Sequence, residues 1–227
     1  MKSFDARGIY SLAPMDLLAR ILRHRMCEVF ALIEWNRLNQ TMADTDKWPA
    51  ITRAFGGEDW RPAINMAGLE RQQFLVSTFR RAMEQAGARF TWHFSMRDKS
   101  NRLIYWLFFG SGGLDGLYQM KRAMRRVDPT GTFSFSDFRE RQAASLFQYS
   151  DSELASELAD NLSGQALPIS AVREHVLTRT PGTEFNNALA NLEQDKRLQI
   201  VESPPGRRKR SFAKYQKDNP RLVVRFL

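Results

Sequence analysis

Gly110, Gly112, Gly113 and Gly116 lie between an apolar stretch, Tyr105 to Phe109, and a stretch with helical periodicity from Leu114. A glycine-rich turn between a strand and a helix is where backbone amides can cradle a phosphate. The spacing, Gly110-x-Gly112-x-x-x-Gly116 with Gly113 in addition, is only a near miss to the dinucleotide fingerprint G-x-G-x-x-G. A dinucleotide unit would also continue into a second parallel strand ending in an acid. Here the preceding strand reads as one arm of an antiparallel hairpin, and the chain after Arg126 enters a linker. The glycines therefore read as turn geometry, and no cofactor is expected.

A second group of residues points to an anionic partner. The chain of 227 residues carries a net charge of +9. From Gly206 onward there are eight cations and one anion, Asp218, so seven of the nine net charges lie in the last 22 residues. Arg207, Arg208, Lys209 and Arg210 are consecutive, and Lys214 follows. Such a cluster is the electrostatic signature of a nucleic-acid contact. Just upstream, Thr183, Asn186, Asn187, Asn191 and Lys196 fall on one helix-patterned stretch. Asparagine can hydrogen-bond adenine at two points, whereas Arg and Lys mainly secure the phosphates.

Other chemistry is sparse. Cys27 is the sole cysteine, which excludes an internal disulfide and any multi-cysteine metal centre built from this chain alone. It opens an apolar run and is expected in the core. His24, His93 and His175 are far apart and show no ligand spacing, so no metal is expected. No apolar stretch reaches the roughly 20 residues of a membrane helix, and no secretory signal is visible. A reducing, cytoplasmic setting without a membrane partner is the expectation.

These residues need elements to hold them. Pro14 to Arg25 is patterned as a helix, and Cys27 to Trp35 as a central strand covered on both faces. Leu69 to Gln85 is a long helix stopped by Gly87. Ala88 to Met96 and Arg102 to Gly110 form a hairpin around the polar turn Arg97 to Asn101. Leu114 to Val127 is a helix ended by Asp128-Pro129. Residues 1–131 make one domain, 132–149 a linker and 150–227 a second domain. The second has three short helices followed by apolar stretches around the basic loop, with "SFAKY" and "LVVRFL" both read as strands. That is the element order of a winged helix.

The first domain's order of helix, buried strand, helical stretch and closing hairpin resembles the last half of a class I methyltransferase sheet. The stretches "SLAPMDLLARILRHRMCEVF", "MRDKSNRLIYWLFFGSGGLDGLYQMKRAMRRVDPTG" and "AVREHVLTRTPGTEFNNALANLEQDKRLQIVE" with "RKRSF" together resemble the three-Cys-motif partner protein family. The resemblance implies an α/β fold, a partial Rossmann-like, methyltransferase-type sheet lacking its N-terminal half, followed by a C-terminal winged-helix domain. It also implies a partner: a three-cysteine, radical-SAM-like protein, in systems linked to phages or mobile elements. Where the family tends to show an Asp-Pro-Phe-Gly-like stretch, this chain has "FDARGIYSLAP". Asp5 and Gly8 are kept, and Ala6 and Arg7 replace the proline and aromatic. Independent methyl transfer is therefore not expected.

Three functions compete on this reading. The first is a nucleic-acid-binding accessory protein, DNA favoured, using the asparagine-bearing helix and the basic loop. The second is a subunit of a split enzyme, with Asp5, Gly8, Glu34 and Asn36 as a vestigial active site at strand ends and no nucleophile–base pair among them. The third is a scaffold that docks a partner, or a chain supplying the missing sheet half, along an exposed strand edge. Trp48, Trp60 and Trp106 are aromatic candidates for that interface, although core burial is the commoner fate of tryptophan.

Overall fold

The computed structural model describes residues 14–24, 27–128, 134–136, 149–215 and 221–227. They divide into two units, one containing residues 14–24, 27–128 and 134–136 and the other residues 149–215 and 221–227. The chain is mixed α/β, with two small, mainly antiparallel sheets and eight α-helices among the described residues.

The first unit runs α1 (Met15–Leu22), β1 (Glu28–Glu34), α2 (Trp35–Met42), α3 (Trp48–Phe55), α4 (Gly68–Gln85), β2 (Phe90–Arg97), β3 (Leu103–Ser111), α5 (Leu114–Val127) and β4 (Ser134–Ser136). The sheet order is β1-β3-β2-β4. β3 is antiparallel to both β1 and β2, so β1 and β2 run parallel to each other, and β4 is parallel to β2. Period-2 burial sends Val29, Ala31 and Ile33 to one face. There they join Trp106 and Phe108, covered by Leu18 and Leu22 of α1, Leu38 of α2, Ile51 of α3, and Leu75, Phe79 and Met83 of α4. On the opposite face α5 lies over β2 and β3, where Met124 and Met120 meet Phe94, Trp92 and Leu107.

β1 departs from the expected central strand. Among the described residues it is paired on one side only, by β3, and its burial alternates. Phe30 and Leu32 are 53% and 51% exposed. Their apolar character on the outer face made the run look covered on both sides. Cys27, expected in the core, is only partly buried just before β1. Trp60 and Trp106 are buried, and Trp48 packs edge-on against Trp60 at 5.7 Å, so these three belong to the core, not to an exposed aromatic surface.

Packing accounts for Gly110 and Gly116 of the glycine turn. A Cβ at Gly116 would collide with the Glu28 carboxylate, and one at Gly110 would meet Met83 Cε at 2.6 Å. The Gly113 amide donates to Ser111 Oγ at 3.0 Å, so that donor is already engaged. α5 then follows as its pattern predicts, with Asp115 in the first turn and Arg125 and Arg126 in the last, both matched to the helix dipole.

The second unit runs α6 (Asp151–Asn161), β5 (Ala166–Pro168), α7 (Ile169–Arg179), α8 (Asn186–Gln194), β6 (Leu198–Glu202) and β7 (Val223–Phe226), with sheet order β5-β7-β6, both pairings antiparallel. Ser150 starts α6 with a full capping box: its Oγ accepts from the Glu153 amide while the Glu153 side chain takes the Ser150 amide. Leu154, Leu158, Val172, Val176, Leu189, Leu192, Val224 and Phe226 form the core. Two expectations change here. "SFAKY" is not a strand, because Ala213–Tyr215 forms a 3-10 turn whose Tyr215, with neighbouring Phe212, plugs the core. β5 is an added strand too short and proline-bound to show a period.

Candidate nucleic-acid interface

α8 begins at Asn186, three residues later than its pattern suggests. Thr183 therefore sits in the preceding loop and is buried, withdrawn from any ligand. Ala188, Leu189 and Leu192 turn inward, which places Asn187 and Asn191, one turn apart, on the exposed side. Asn187 Nδ2 donates to Asp151 Oδ2 at 2.9 Å, tying α8 to the first turn of α6. Asn191 is exposed and carries no such bond among the described residues. Asn186 is half-buried, and its Oδ1 has no hydrogen-bond partner among the described residues. Lys196 is exposed at the left-handed position that ends the helix, φ +58°, and the following Arg197 amide returns to the Leu192 carbonyl.

The basic loop joins β6 to β7. Its four consecutive cations do not behave alike. Arg207 is turned inward: Nη1 and Nη2 donate to Glu193 Oε1 and Oε2 at 3.0 and 2.9 Å, and its guanidinium lies 4.8 Å from the Phe212 ring centroid. The Arg207 side chain is only 6% exposed, so it is an anchor, unlike the solvent-facing phosphate contact the sequence suggests. The Arg210 amide adds a third bond to Glu193 Oε2 at 2.7 Å, with Arg210 in the left-handed region at φ +61°. Burial alone would raise the Glu193 pKa. The Arg207 and Arg210 contacts outweigh it and hold the carboxyl below its ordinary value. Arg208, Lys209 and Arg210 are exposed beyond this anchor, with no ion pair among the described residues. Lys214 lies in the 3-10 turn, its side chain outside the described residues. Arg221 and Glu202 pair at 3.4 Å at the base of the loop.

Glu193 does not stand out in the sequence. Its one signal there is that of the lone carboxylate of the segment Asn186–Gln194, upstream of the cationic run Arg207–Arg210.

Among the described residues, the other candidates form no catalytic constellation. Asp5 and Gly8 lie outside the described residues. Glu34 ends β1 and pairs with Arg37 at 2.8 Å, and Asn36 is exposed in the first turn of α2. Among the described residues no group of three His, Cys, Asp or Glu is placed to hold a metal ion. Nor, among them, is any helix long and apolar enough to cross a membrane. The chain matches no family model, no curated protein and no solved structure.

Proposed function

We propose that the protein is a nucleic-acid-binding accessory protein, with DNA its favoured target, acting in the cytoplasm beside a protein partner in a phage- or mobile-element-linked system. The observation that carries this reading is the Glu193 anchor. It ties the basic loop to α8 and so holds the exposed Arg208, Lys209 and Arg210 to the helix that also exposes Asn191. The order helix-strand-helix-helix-strand-strand with a β5-β7-β6 sheet supports a winged-helix arrangement, in which α8 would enter a groove and the loop would meet phosphates. Fluorescence anisotropy on duplex and single-stranded probes across a salt series tests it. Replacing Arg208, Lys209 and Arg210 with alanine should weaken binding to every probe and lower the salt slope by about 0.9 for each duplex phosphate that is no longer neutralised. A wild-type chain with no salt-dependent binding would make the loop a protein-docking surface.

A second reading, docking of a partner on the first unit, is favoured by the one-sided pairing of β1 among the described residues and the exposure of Phe30 and Leu32. The parallel pair β1 and β2 flanking an antiparallel β3 supports kinship with the closing end of a methyltransferase-type sheet. On that reading the partner is a three-cysteine, radical-SAM-like protein or a chain completing the sheet, as the resemblance to three-Cys-motif partner proteins implies.

A further inference from the structure

A polar cavity of about 410 Å³ opens at the carboxyl ends of β1 and β2. Trp35 and Asn36 of α2, Gln72 of α4, and Arg97, Asp98, Asn101 and Arg102 around the hairpin turn are among the residues that line it. Crevices at the carboxyl ends of parallel strands are where open α/β sheets take up ligands. The volume falls within the range of small-molecule sites.

Arg97 is the informative group. Its Nη1 donates to the Asn101 carbonyl at 3.0 Å, and Nη2 makes a long contact of 3.5 Å to Gln72 Oε1. Both acceptors are neutral, and no carboxylate pairs with Arg97 among the described residues. Its sequence neighbour Asp98 instead holds Arg102 Nε at 2.8 Å and accepts from the Ser100 and Arg102 amides. A guanidinium bound only to neutral acceptors keeps its full charge, with donors left for an anion. Trp35, set edge-on to Trp106 at 5.3 Å, gives the same cavity a fixed aromatic wall. We propose that this cavity binds a nucleoside monophosphate group, with Arg97 on the phosphate and Trp35 against the ring. The group could belong to a free mononucleotide or to the 5′-phosphorylated end of a strand. The inference concerns the first unit and stands independently of the basic loop.

Calorimetric titration of the full chain with adenosine 5′-monophosphate, inorganic phosphate and adenosine tests it. The monophosphate should bind, and adenosine should bind at least about tenfold more weakly. Removing the charge-assisted hydrogen bonds in Arg97→Gln should weaken monophosphate binding by about ten- to hundredfold. Arg97→Lys keeps the charge but not the two-point fork, and should fall between Arg97→Gln and wild type. It also serves as the second variant should Arg97→Gln disturb the hairpin turn. Anisotropy with 5′-phosphorylated and 5′-hydroxyl oligonucleotides, in an Arg208→Ala, Lys209→Ala, Arg210→Ala background, separates the two sources. A preference for the phosphorylated end that Arg97→Gln removes assigns a strand end, and binding of the mononucleotide alone assigns a free ligand. Absence of monophosphate binding by the wild type, or unchanged binding in both Arg97 variants, overturns the proposal.

Discussion

Arg207 and Glu193 share a two-point ion pair that is largely withdrawn from water, the side chains 6% and 15% exposed. The pair connects the start of the most basic segment to the last turn of α8. One cation in a run of four is thus committed to holding the other three in place. Removing one member of a buried pair leaves the other charge desolvated and uncompensated. Arg207→Ala should therefore lower the stability of the second unit by about 2–4 kcal/mol. Arg208→Ala, an exposed position, should stay within about 0.5 kcal/mol. Urea denaturation of both variants checks the contrast, and equal effects would show that Arg207 is not an anchor.

The same pair sets a pH dependence. The Glu193 carboxyl is held below its ordinary pKa in the folded chain, so its contribution is present above the unfolded Glu value, about 4.3, and is lost as pH falls through the lower folded value. Glu193→Gln should flatten the acid limb of the second unit's stability curve. An unchanged limb would assign the acid sensitivity to other groups.

His93 imposes a second dependence in the first unit. It lies against Phe108, its Nδ1 is buried without a hydrogen bond, and burial with the nearby Arg80 charge lowers its pKa to about 4. The unfolded chain, with His near 6.5, binds the proton more readily, so stability falls as pH drops from about 6.5 towards 4. The shift corresponds to about 3 kcal/mol at the low end, and partial solvent access reduces that to about 2. His93→Phe should remove this slope in thermal melts followed across that range. A variant whose melting temperature still tracks pH in this window would exclude His93 as its source.

Much of this fold was legible from local pattern. Leu114–Val127 has clear periodicity and a proline stop. Strand position was not legible for β1, because Phe30 and Leu32 look alike whether covered or bare, and only the neighbouring strands decide. Nor was the division of labour within Arg207–Arg210. The choice of Arg207 as the buried member depends on Glu193, which the fold brings to it from α8, and on Phe212 further along the same loop. The charge of a segment can be counted in a sequence, but which charges face water depends on long-range contacts.

Asn191 separates recognition from attraction. It is exposed on α8 and free of the bond that ties Asn187 to Asp151. If α8 enters a groove, Asn191→Ala should shift the preference among duplex sequences by about 1–3 kcal/mol at one base pair and leave the salt slope unchanged. Asn187→Ala should act mainly on the α6–α8 contact. Anisotropy on a panel of single-base variants of one duplex measures this, and a uniform weakening across the panel would make Asn191 a backbone contact.

The bare side of β1 gives the last prediction. Phe30 and Leu32 stand opposite Phe109 and Leu107 in the register, but α5 covers β2 and β3 and leaves these two outer side chains half in water. A strand paired on one side among the described residues, with apolar residues on its open face, is a template for association. Burial of such side chains on docking is worth about 1.5–3 kcal/mol each when complete, enough to drive self-association at high concentration when no partner is present. The wild-type chain should therefore show concentration-dependent association in sedimentation velocity. Phe30→Lys with Leu32→Lys should suppress it, while stability changes by less than about 1 kcal/mol because neither residue is in the core. Sedimentation of the wild type as a single monomeric species at every concentration would mean that this face needs no cover, and the docking reading of the first unit would lose its support.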